Sequence, residues 1–219
     1  MPRPEHVACV LFDFDGVIVD SEPIGARRNQ RILNRLGVPA TYDDCIAMSG
    51  LAAKTEVPKL LERYGSNLTY DDFEALSESP EFPMVYFDPD MAVYPGVREL
   101  LASLRSRGVP VGLVTTTAAP RIVAALDRFR LMSAFDVMVT RELVTHYKPN
   151  PEPYQHAMEL LGTRPEETVV LEDSPVGIAA AKAAGAYVYG MCVSSCVQDT
   201  SQADELVRAY EGFDPATRA

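Results

Sequence analysis

The sequence is poor in positive charge and in long apolar runs, and each shortage argues against a class of protein. Its 31 aspartates and glutamates outnumber its 20 lysines and arginines, and the net charge of −11 argues against nucleic acid or an anionic membrane as a partner. No segment approaches the roughly 18 apolar residues that a transmembrane helix needs. The first residues also lack the pattern of a secretory signal, so we expect a cytoplasmic protein.

Cysteine is scarce too, and its placement argues against a zinc site. The four cysteines are scattered, and none of them pairs at the two-residue interval that is typical of zinc ligands. We expect reduced thiols, as is usual in the cytosol. The 219 residues contain no internal repeat, and 47% of them are hydrophobic, which allows a sizeable core in one large domain or two modest ones.

The stretch from Val7 to Glu22, VACVLFDFDGVIVDSE, is the first candidate for a functional site. Its apolar run ends at Phe12 and predicts a buried strand of a parallel sheet, so Asp13 and Asp15 lie where ligands of open α/β sheets bind. Two carboxylates so close repel each other and are costly to desolvate, and Mg²⁺ with its hard oxygen ligands is the simplest compensation. A solvated Asp-x-Asp-Gly turn is the alternative, although apolar residues resume directly after Gly16.

The segment from about Val19 to Met91 has helical periodicity and no convincing buried strand. Short helices are predicted over Pro23–Leu36, Tyr42–Met48, Glu56–Tyr64 and Tyr70–Leu76. Asp20 to Glu22 is typical of the N-terminal cap of the first of these helices. Residues 79–96 contain four prolines, and we expect them to form a linker that returns to the first domain.

Strands and helices alternate from Pro95 onward. Strands are predicted over Val109–Val114, Val137–Thr140, Thr168–Leu171 and Tyr187–Gly190, and helices over Gly96–Arg107, Pro120–Phe129, Pro151–Leu161 and Pro175–Ala184. This alternation predicts an α/β fold with a doubly wound parallel sheet. We therefore expect a catalytic core of residues 1–18 and 94–219, and a small helical cap of residues 19–93 that lies over the carboxyl edge of the sheet as a lid.

Polar residues at the end of another strand and in one loop are candidates for binding an anion. Thr115, Thr116 and Thr117 either cap the next helix or bind an anion with their hydroxyls and the N–H groups of the helix terminus. Lys148 is either an ordinary solvated lysine or the local cation that an acidic protein needs for binding phosphate. The rigid surroundings of Lys148, next to Pro149, favour the second interpretation.

Glu172 and Asp173 also follow a predicted buried strand. An acidic helix cap accounts for one of them and leaves the other unexplained. If that strand neighbours the first one, Glu172 and Asp173 converge with Asp13 and Asp15. Mg²⁺ fits such a group of four carboxylates. Asp13 is then placed to attack a phosphoryl group and form an aspartyl-phosphate, while Asp15 protonates the leaving oxygen and later activates water.

With these motifs the sequence resembles the haloacid dehalogenase (HAD) superfamily, in the helical-cap branch that includes β-phosphoglucomutase and sugar-phosphate phosphatases. The matching motifs are DFDGV from Asp13, the strand that ends at Thr115, KPNPEPY from Lys148 and LEDSPVGIAAAKAAG from Leu171. The resemblance implies a HAD-type Rossmann-like core. It also implies that Asp13 is nucleophile and metal ligand, that Asp15 is acid/base and ligand through its backbone carbonyl, that Asp173 is a ligand assisted by Glu172, and that Thr115 and Lys148 hold the phosphate.

Departures from the mutase favour hydrolysis. The mutase has a His and a Trp early in its first cap helix, where this sequence has Gly25 and Asn29. The mutase also has an Arg at the position where this sequence has Ala53. Relatives that act as phosphonatases or dehalogenases lack the second aspartate, which Asp15 supplies here. We therefore expect a magnesium-dependent phosphatase acting on a small phosphorylated metabolite, with a sugar phosphate as the leading candidate. The alternatives are a phosphosugar mutase and a phospho-receiver-like binding module.

Substrate choice is expected to reside mainly in the cap. The candidate substrate-binding residues are Glu22, Gly50 and Lys54 of the cap and Thr116 and Thr117 of the core. For Arg27 and Arg28 a solvated helix face is the simpler interpretation.

Overall fold

The computed structural model describes residues 1–49, 53–196 and 198–216. The chain divides into two compact units. One is formed by Met1–Asp20 and Ala92–Ala219, and the other by Ser21–Met91. The first unit contains a sheet with its flanking helices, and the second is built from helices.

The first unit is organised around a parallel sheet. Its strands are β1 (Cys9–Phe12), β2 (Val111–Val114), β3 (Val137–Val139), β4 (Thr168–Glu172), β5 (Tyr187–Met191) and β6 (Glu205–Val207). They lie in the order β3-β2-β1-β4-β5-β6, and each neighbouring pair is parallel. The chain winds outward from β1 in one direction and then in the other, which confirms the predicted doubly wound α/β sheet.

The helices follow the apolar periodicity of the sequence. The second unit contains α1 (Ser21–Arg35), α2 (Tyr42–Ile46), α3 (Ala53–Arg63) and α4 (Tyr70–Ser77), and the first contains α5 (Val97–Ser106), α6 (Ala119–Arg128), α7 (Glu152–Leu161) and α8 (Pro175–Ala183). Helices α7 and α8 share one buried cluster with alternate residues of the strands, among them Leu11, Val170 and Val188. None of the described helices combines the length and the apolarity that crossing a bilayer demands.

Two features of the fold differ from the sequence-based expectations. Strand β6 was not predicted, because it has three residues of which the first two are exposed, and it therefore has no apolar run. Most of the expected linker belongs to the second unit, in which Phe82 and Tyr86 are buried. Arg28 donates to the carbonyls of Ser77, Phe82 and Pro83, so it anchors this segment instead of forming a solvated face.

Asp44 gives the second unit a testable source of stability. Its carboxylate accepts hydrogen bonds from the Thr41 N–H and hydroxyl at 2.9 and 2.6 Å and from the Tyr64 hydroxyl at 2.6 Å, and it pairs with Arg63 at 2.9 Å. The bonds from Thr41 and Tyr64, with a smaller contribution from Arg63, hold the pKa of Asp44 well below its usual range. A lowered folded-state pKa contributes stability above the ordinary aspartate pKa, and this contribution is lost as the pH falls.

We expect Asp44→Ala to lower the free energy of unfolding of the second unit by about 1 kcal/mol at pH 7, which is typical of losing a helix cap. Urea denaturation, followed as the pH is lowered from 7 towards 3, measures the difference from the wild type, and that difference should shrink on acidification. Asp72→Ala is the matched control, since Asp44 closes a capping box with Thr41 at the start of α2 and Asp72 closes the same kind of box with Thr69 at the start of α4. An effect of Asp44→Ala no larger than that of Asp72→Ala would contradict the contribution of Tyr64 and Arg63.

Candidate active site

The pairing of β1 with its two neighbours determines which polar residues meet at the carboxyl edge of the sheet. Phe12, the last residue of β1, lies opposite Leu113 and Leu171. The backbone N–H of Asp13 donates to the Leu171 carbonyl at 3.0 Å, which carries the pairing one residue further. Asp13 therefore lies level with Glu172 on one side and next to the end of β2 on the other, at the edge where open α/β sheets bind ligands.

Lys148 is buried at this edge and is fixed against Asp13. Its side chain is 4% exposed, and Nζ donates to Asp13 Oδ1 at 2.6 Å, to Glu172 Oε1 at 2.5 Å and to the Val114 carbonyl at 3.1 Å. Burial by itself lowers the pKa of Lys148, but the carboxylates of Asp13 and Glu172 outweigh it and hold that pKa well above its usual range. The interpretation of Lys148 as a solvated surface residue is therefore wrong.

The loop that carries Lys148 is shaped by the first residue of α7. The backbone N–H groups of Thr145 and His146 donate to the Glu152 carboxylate at 2.6 and 2.9 Å, and the His146 ring contacts it at 2.7 Å. The bond from Thr145, followed by those from His146, lowers the pKa of Glu152. Glu152 thus remains a carboxylate near neutral pH and holds the turn that leads into Lys148.

Three carboxylates of the first unit gather around one point. Asp13, Glu172 and Asp173 are buried, and each offers an oxygen within 4.8 Å of the oxygens that the other two offer. Burial raises the pKa of Asp13, and Glu172 adds to the rise while Lys148 opposes it. The ammonium of Lys148 pairs with Asp13 and Glu172, and the three buried carboxylates together form a set of oxygens that a divalent cation can bind.

Gly16 makes the close approach of Asp173 possible. The backbone of Gly16 has φ +77°, and a Cβ atom at this position would lie 1.9 Å from Asp173 Oδ2. A side chain other than hydrogen at residue 16 therefore cannot coexist with Asp173 where it stands. Gln198, a residue that sequence reasoning missed, reaches the same oxygen with Nε2 at 3.4 Å.

Asp15 does not join this group with its side chain. Its carboxylate is half-buried and accepts a hydrogen bond from the Thr117 hydroxyl at 3.1 Å. Of the four carboxylates that were expected to converge, three do so among the described residues. The turn at Gly16 directs the fourth, that of Asp15, towards Thr117. A metal contact through the backbone carbonyl of Asp15 stays a prediction.

Glu172 is fully buried and is engaged at both oxygens. Oε1 accepts from Lys148 at 2.5 Å and from the Tyr154 hydroxyl at 2.8 Å. Oε2 accepts from the N–H groups of Asp173 and Ser174 and from the Ser174 hydroxyl, at 3.0 to 3.1 Å. Gly177 leaves room for this carboxylate, since a Cβ there would lie 1.8 Å from Oε1. Glu172 is therefore bound to Lys148 and to the start of α8, and its assistance to a metal stays a prediction.

The strand-end threonines do not cap α6. The N-cap residue of α6, Ala118, makes no side-chain capping bond, and the first helical N–H, that of Ala119, donates to the Glu142 carboxylate at 3.0 Å. This bond lowers the pKa of Glu142, whose role the sequence did not reveal because it lies in a separate short 3-10 helix after β3. Thr115 is buried and accepts from the Thr117 N–H at 3.1 Å, whereas Thr116 is exposed. The capping interpretation of the threonines is wrong, and both Thr115 and Thr117 lie at the site edge.

The predicted cap residues belong to the second unit. Glu22 lies half-buried in the first turn of α1, and Lys54 is exposed at the start of α3. Gly50 lies outside the described residues. Contact of these three residues and of Thr116 with substrate stays a prediction.

Asp20 has a partner that the sequence did not indicate. Its carboxylate accepts from the hydroxyls of Ser194 and Ser195 at 2.9 and 2.8 Å. Asp20 is the last residue of the first unit before α1 begins. It therefore ties the end of this stretch to the loop that follows β5, and it directly precedes α1, whose N-terminal cap the sequence predicts here.

Comparison with known proteins gives consistent relatives. A family model described as haloacid dehalogenase-like hydrolase matches residues 10–191. The chain is 34% identical over 183 residues to a phosphorylated carbohydrates phosphatase of Thermotoga maritima, covering 83% of this chain and 84% of the relative. It is 30% identical over 198 residues to a validoxylamine A 7'-phosphate phosphatase of Streptomyces hygroscopicus subsp. limoneus, covering 90% and 92%. A solved structure of a HAD family hydrolase from Deinococcus radiodurans R1, with bound phosphate and sodium, superposes with a TM-score of 0.78 at 27% identity, covering 94% of this chain and 93% of that one.

Proposed function

Because the chain belongs to the haloacid dehalogenase-like hydrolase family, we propose that it is a magnesium-dependent phosphatase of a small phosphorylated metabolite, with a sugar phosphate as the leading substrate class. The observation that carries the proposal is the buried contact of 2.6 Å between Lys148 Nζ and Asp13 Oδ1 at the carboxyl edge of the sheet. A cation fixed against a carboxylate at this edge is what attack on an anionic phosphoryl group requires. The relative named as a phosphorylated carbohydrates phosphatase supports the substrate class.

The donor set fits a divalent metal. Three buried carboxylates each bring an oxygen within 4.8 Å of the others, and carboxylate oxygens are the ligands that Mg²⁺ prefers. Asp13 and Asp173 are the residues that we propose as ligands, together with the backbone carbonyl of Asp15. When bound, Mg²⁺ would neutralise charge on the phosphoryl oxygens as a Lewis acid.

Asp13 and Asp15 divide the chemistry between them. One oxygen of Asp13 is held by Lys148, and the other attacks phosphorus, so that an Asp–O–P bond forms and the bond to the alcohol oxygen breaks. Asp15 gives its proton to the departing alcohol oxygen. It then takes a proton from the water that hydrolyses the aspartyl-phosphate, which returns both carboxyl groups to their starting state. The hydrogen bond from Thr117 orients Asp15 for these transfers.

Lys148 and Thr115 serve the phosphoryl group in this scheme. The ammonium of Lys148 already lies against Asp13, so a phosphoryl group transferred to Asp13 arrives beside a buried cation. Electrostatic interactions are strong where water is excluded, which is why a fixed charge at this point stabilises the transition state. The hydroxyl of Thr115 lies at the end of the neighbouring strand and supplies a donor to the phosphoryl oxygens.

The proposal is tested with a panel of phosphorylated metabolites assayed for phosphate release with Mg²⁺ and with EDTA. We expect turnover with Mg²⁺, a loss of about 100-fold or more with EDTA, and recovery when Mg²⁺ is restored, because a bound metal contributes several kcal/mol to transition-state stabilisation. Turnover that EDTA leaves unchanged would contradict the metal dependence.

Two further assays separate the alternatives. Steady release of phosphate from p-nitrophenyl phosphate would exclude a receiver-like module, which binds without turnover. Net isomerisation of β-glucose-1-phosphate in the presence of a bisphosphate primer, with little free phosphate, would show a phosphosugar mutase. No phosphate release from any member of the panel would contradict the proposed phosphatase.

A further inference from the structure

Tyr154 contacts both residues of a buried ion pair of the site, Lys148 and Glu172. It belongs to α7, is fully buried, and donates its hydroxyl to Glu172 Oε1 at 2.8 Å. Its ring centroid lies 5.0 Å from Lys148 Nζ, within the range of a cation–π contact. One side chain thus contacts both the ammonium and the carboxylate that holds it.

The position of Lys148 depends on where Glu172 is held. The three hydrogens of the Lys148 ammonium have three acceptors, on Asp13, Glu172 and Val114, so its orientation is determined by them. Glu172 Oε2 is bound to the start of α8, whereas Oε1 is bound by Lys148 and Tyr154. Among the described residues, Tyr154 is therefore the donor to Oε1 besides the lysine itself.

Loss of the Tyr154 hydroxyl would leave Lys148 as the neutralising donor of Glu172 Oε1. A buried carboxylate that loses a donor binds its remaining partner more strongly, because interactions with a charged group are strong where water is excluded. The ammonium would then be drawn towards Glu172 and away from Asp13, on which it also acts. We infer that Tyr154 is a positioning residue that balances Glu172 so that Lys148 stays on the nucleophile, an inference that rests on the proposed phosphatase activity.

The test is Tyr154→Phe, which keeps the buried ring and removes one oxygen. We expect kcat per folded protein to fall about tenfold, with KM within about twofold of the wild type, because the lysine is misplaced for the transition state and substrate binding is little changed; tenfold in rate corresponds to about 1.4 kcal/mol. The Mg²⁺ concentration for half-maximal activity should not change. Incorporation of p-aminophenylalanine at position 154 restores a donor at the same place and should recover most of kcat.

Tyr187→Phe is the matched control. Tyr187 is also buried and donates its hydroxyl to a glutamate, Glu205, at 3.1 Å, but it lies on β5 away from the carboxylate cluster. We expect Tyr187→Phe to keep kcat and KM, and circular dichroism with thermal melting should show that both variants fold.

Three results would overturn the inference. These are wild-type kinetics in Tyr154→Phe, an equal loss in both variants, and a rise in the Mg²⁺ requirement that accounts for the whole loss, which would show that Tyr154 acts on the metal site. Should Tyr154→Phe fail to fold, the variant with p-aminophenylalanine decides the matter, since a normal kcat with the donor present supports the inference and a tenfold loss refutes it. Wild-type protein without phosphatase activity would instead refute the proposed function, so the two failures are distinct.

Discussion

Replacement of Asp13 by asparagine is expected to reduce phosphate release at least about 1,000-fold while the protein stays folded. An amide does not attack phosphorus, and it forms no acyl-phosphate that water can cleave. The fold should persist, because asparagine has the same shape and one of its atoms can still accept from Lys148, which lies 2.6 Å from Oδ1. Neutralising one of three carboxylates that lie together also relieves repulsion in the cluster.

The measurement is single-turnover and steady-state phosphate release by purified Asp13→Asn, with thermal melting to compare its stability with that of the wild type. Asp127→Asn is a suitable control, because Asp127 is exposed on α6 and lies outside the site. It should keep full activity. Turnover of Asp13→Asn at more than a few per cent of the wild-type rate would contradict the assignment of Asp13 as the nucleophile, and loss of the thermal transition would contradict its purely chemical role.

The second large effect is expected for Gly16→Ala. The added Cβ would lie 1.9 Å from Asp173 Oδ2, so Asp173 must move out of the carboxylate cluster or the turn after Asp15 must change. Either change separates groups that the proposed reaction needs together, and misplacement by about 1 Å already costs on the order of 100-fold in rate. We therefore expect kcat/KM to fall at least about 100-fold, together with a rise in the Mg²⁺ concentration that gives half-maximal activity.

A glycine in the same backbone conformation separates strain from displacement. Gly108 has φ +67° and belongs to the same unit, and a Cβ atom there would meet no heavy atom within 4 Å beyond its neighbours in the chain. Alanine at either position is strained by the positive φ, at a cost of about 1 kcal/mol or more, so both variants should melt at a lower temperature. The loss of activity and the altered Mg²⁺ requirement should occur in Gly16→Ala alone. If Gly108→Ala lost activity to the same extent, general destabilisation would explain the effect and the role of Gly16 in placing Asp173 would be wrong.

Part of the site could be predicted from the local sequence. The apolar run that ends at Phe12 predicts a buried strand, and Asp13 follows it directly, so the position of this carboxylate at a sheet edge is a consequence of local sequence. The run Thr168–Glu172 gives Glu172 and Asp173 by the same reasoning. Strand β6 had no such signal, because it has three residues, which is too short for an apolar run, and it is recognised by its pairing with β5.

Other parts of the site depend on side-chain directions and were not predictable in that way. The helix cap at α6 comes from Glu142 and not from the preceding threonines, and Asp15 accepts a hydrogen bond from Thr117, 102 residues away. Residues 79–91 were predicted to be part of a linker because the segment is rich in proline. Phe82 and Tyr86 are nevertheless buried in the second unit.

The sequence by itself determined the alternation of strands and helices, the run of helices after the first strand, and the carboxylates and lysine available at the sheet edge, because apolar periodicity and turn chemistry are properties of neighbouring residues. Only the tertiary structure decided which of those carboxylates meet, that Gly16 makes room for Asp173, and that Glu172 is shared by Lys148 and Tyr154. These contacts join residues that are distant in the chain, and they are set by strand register and close packing, which no local pattern encodes.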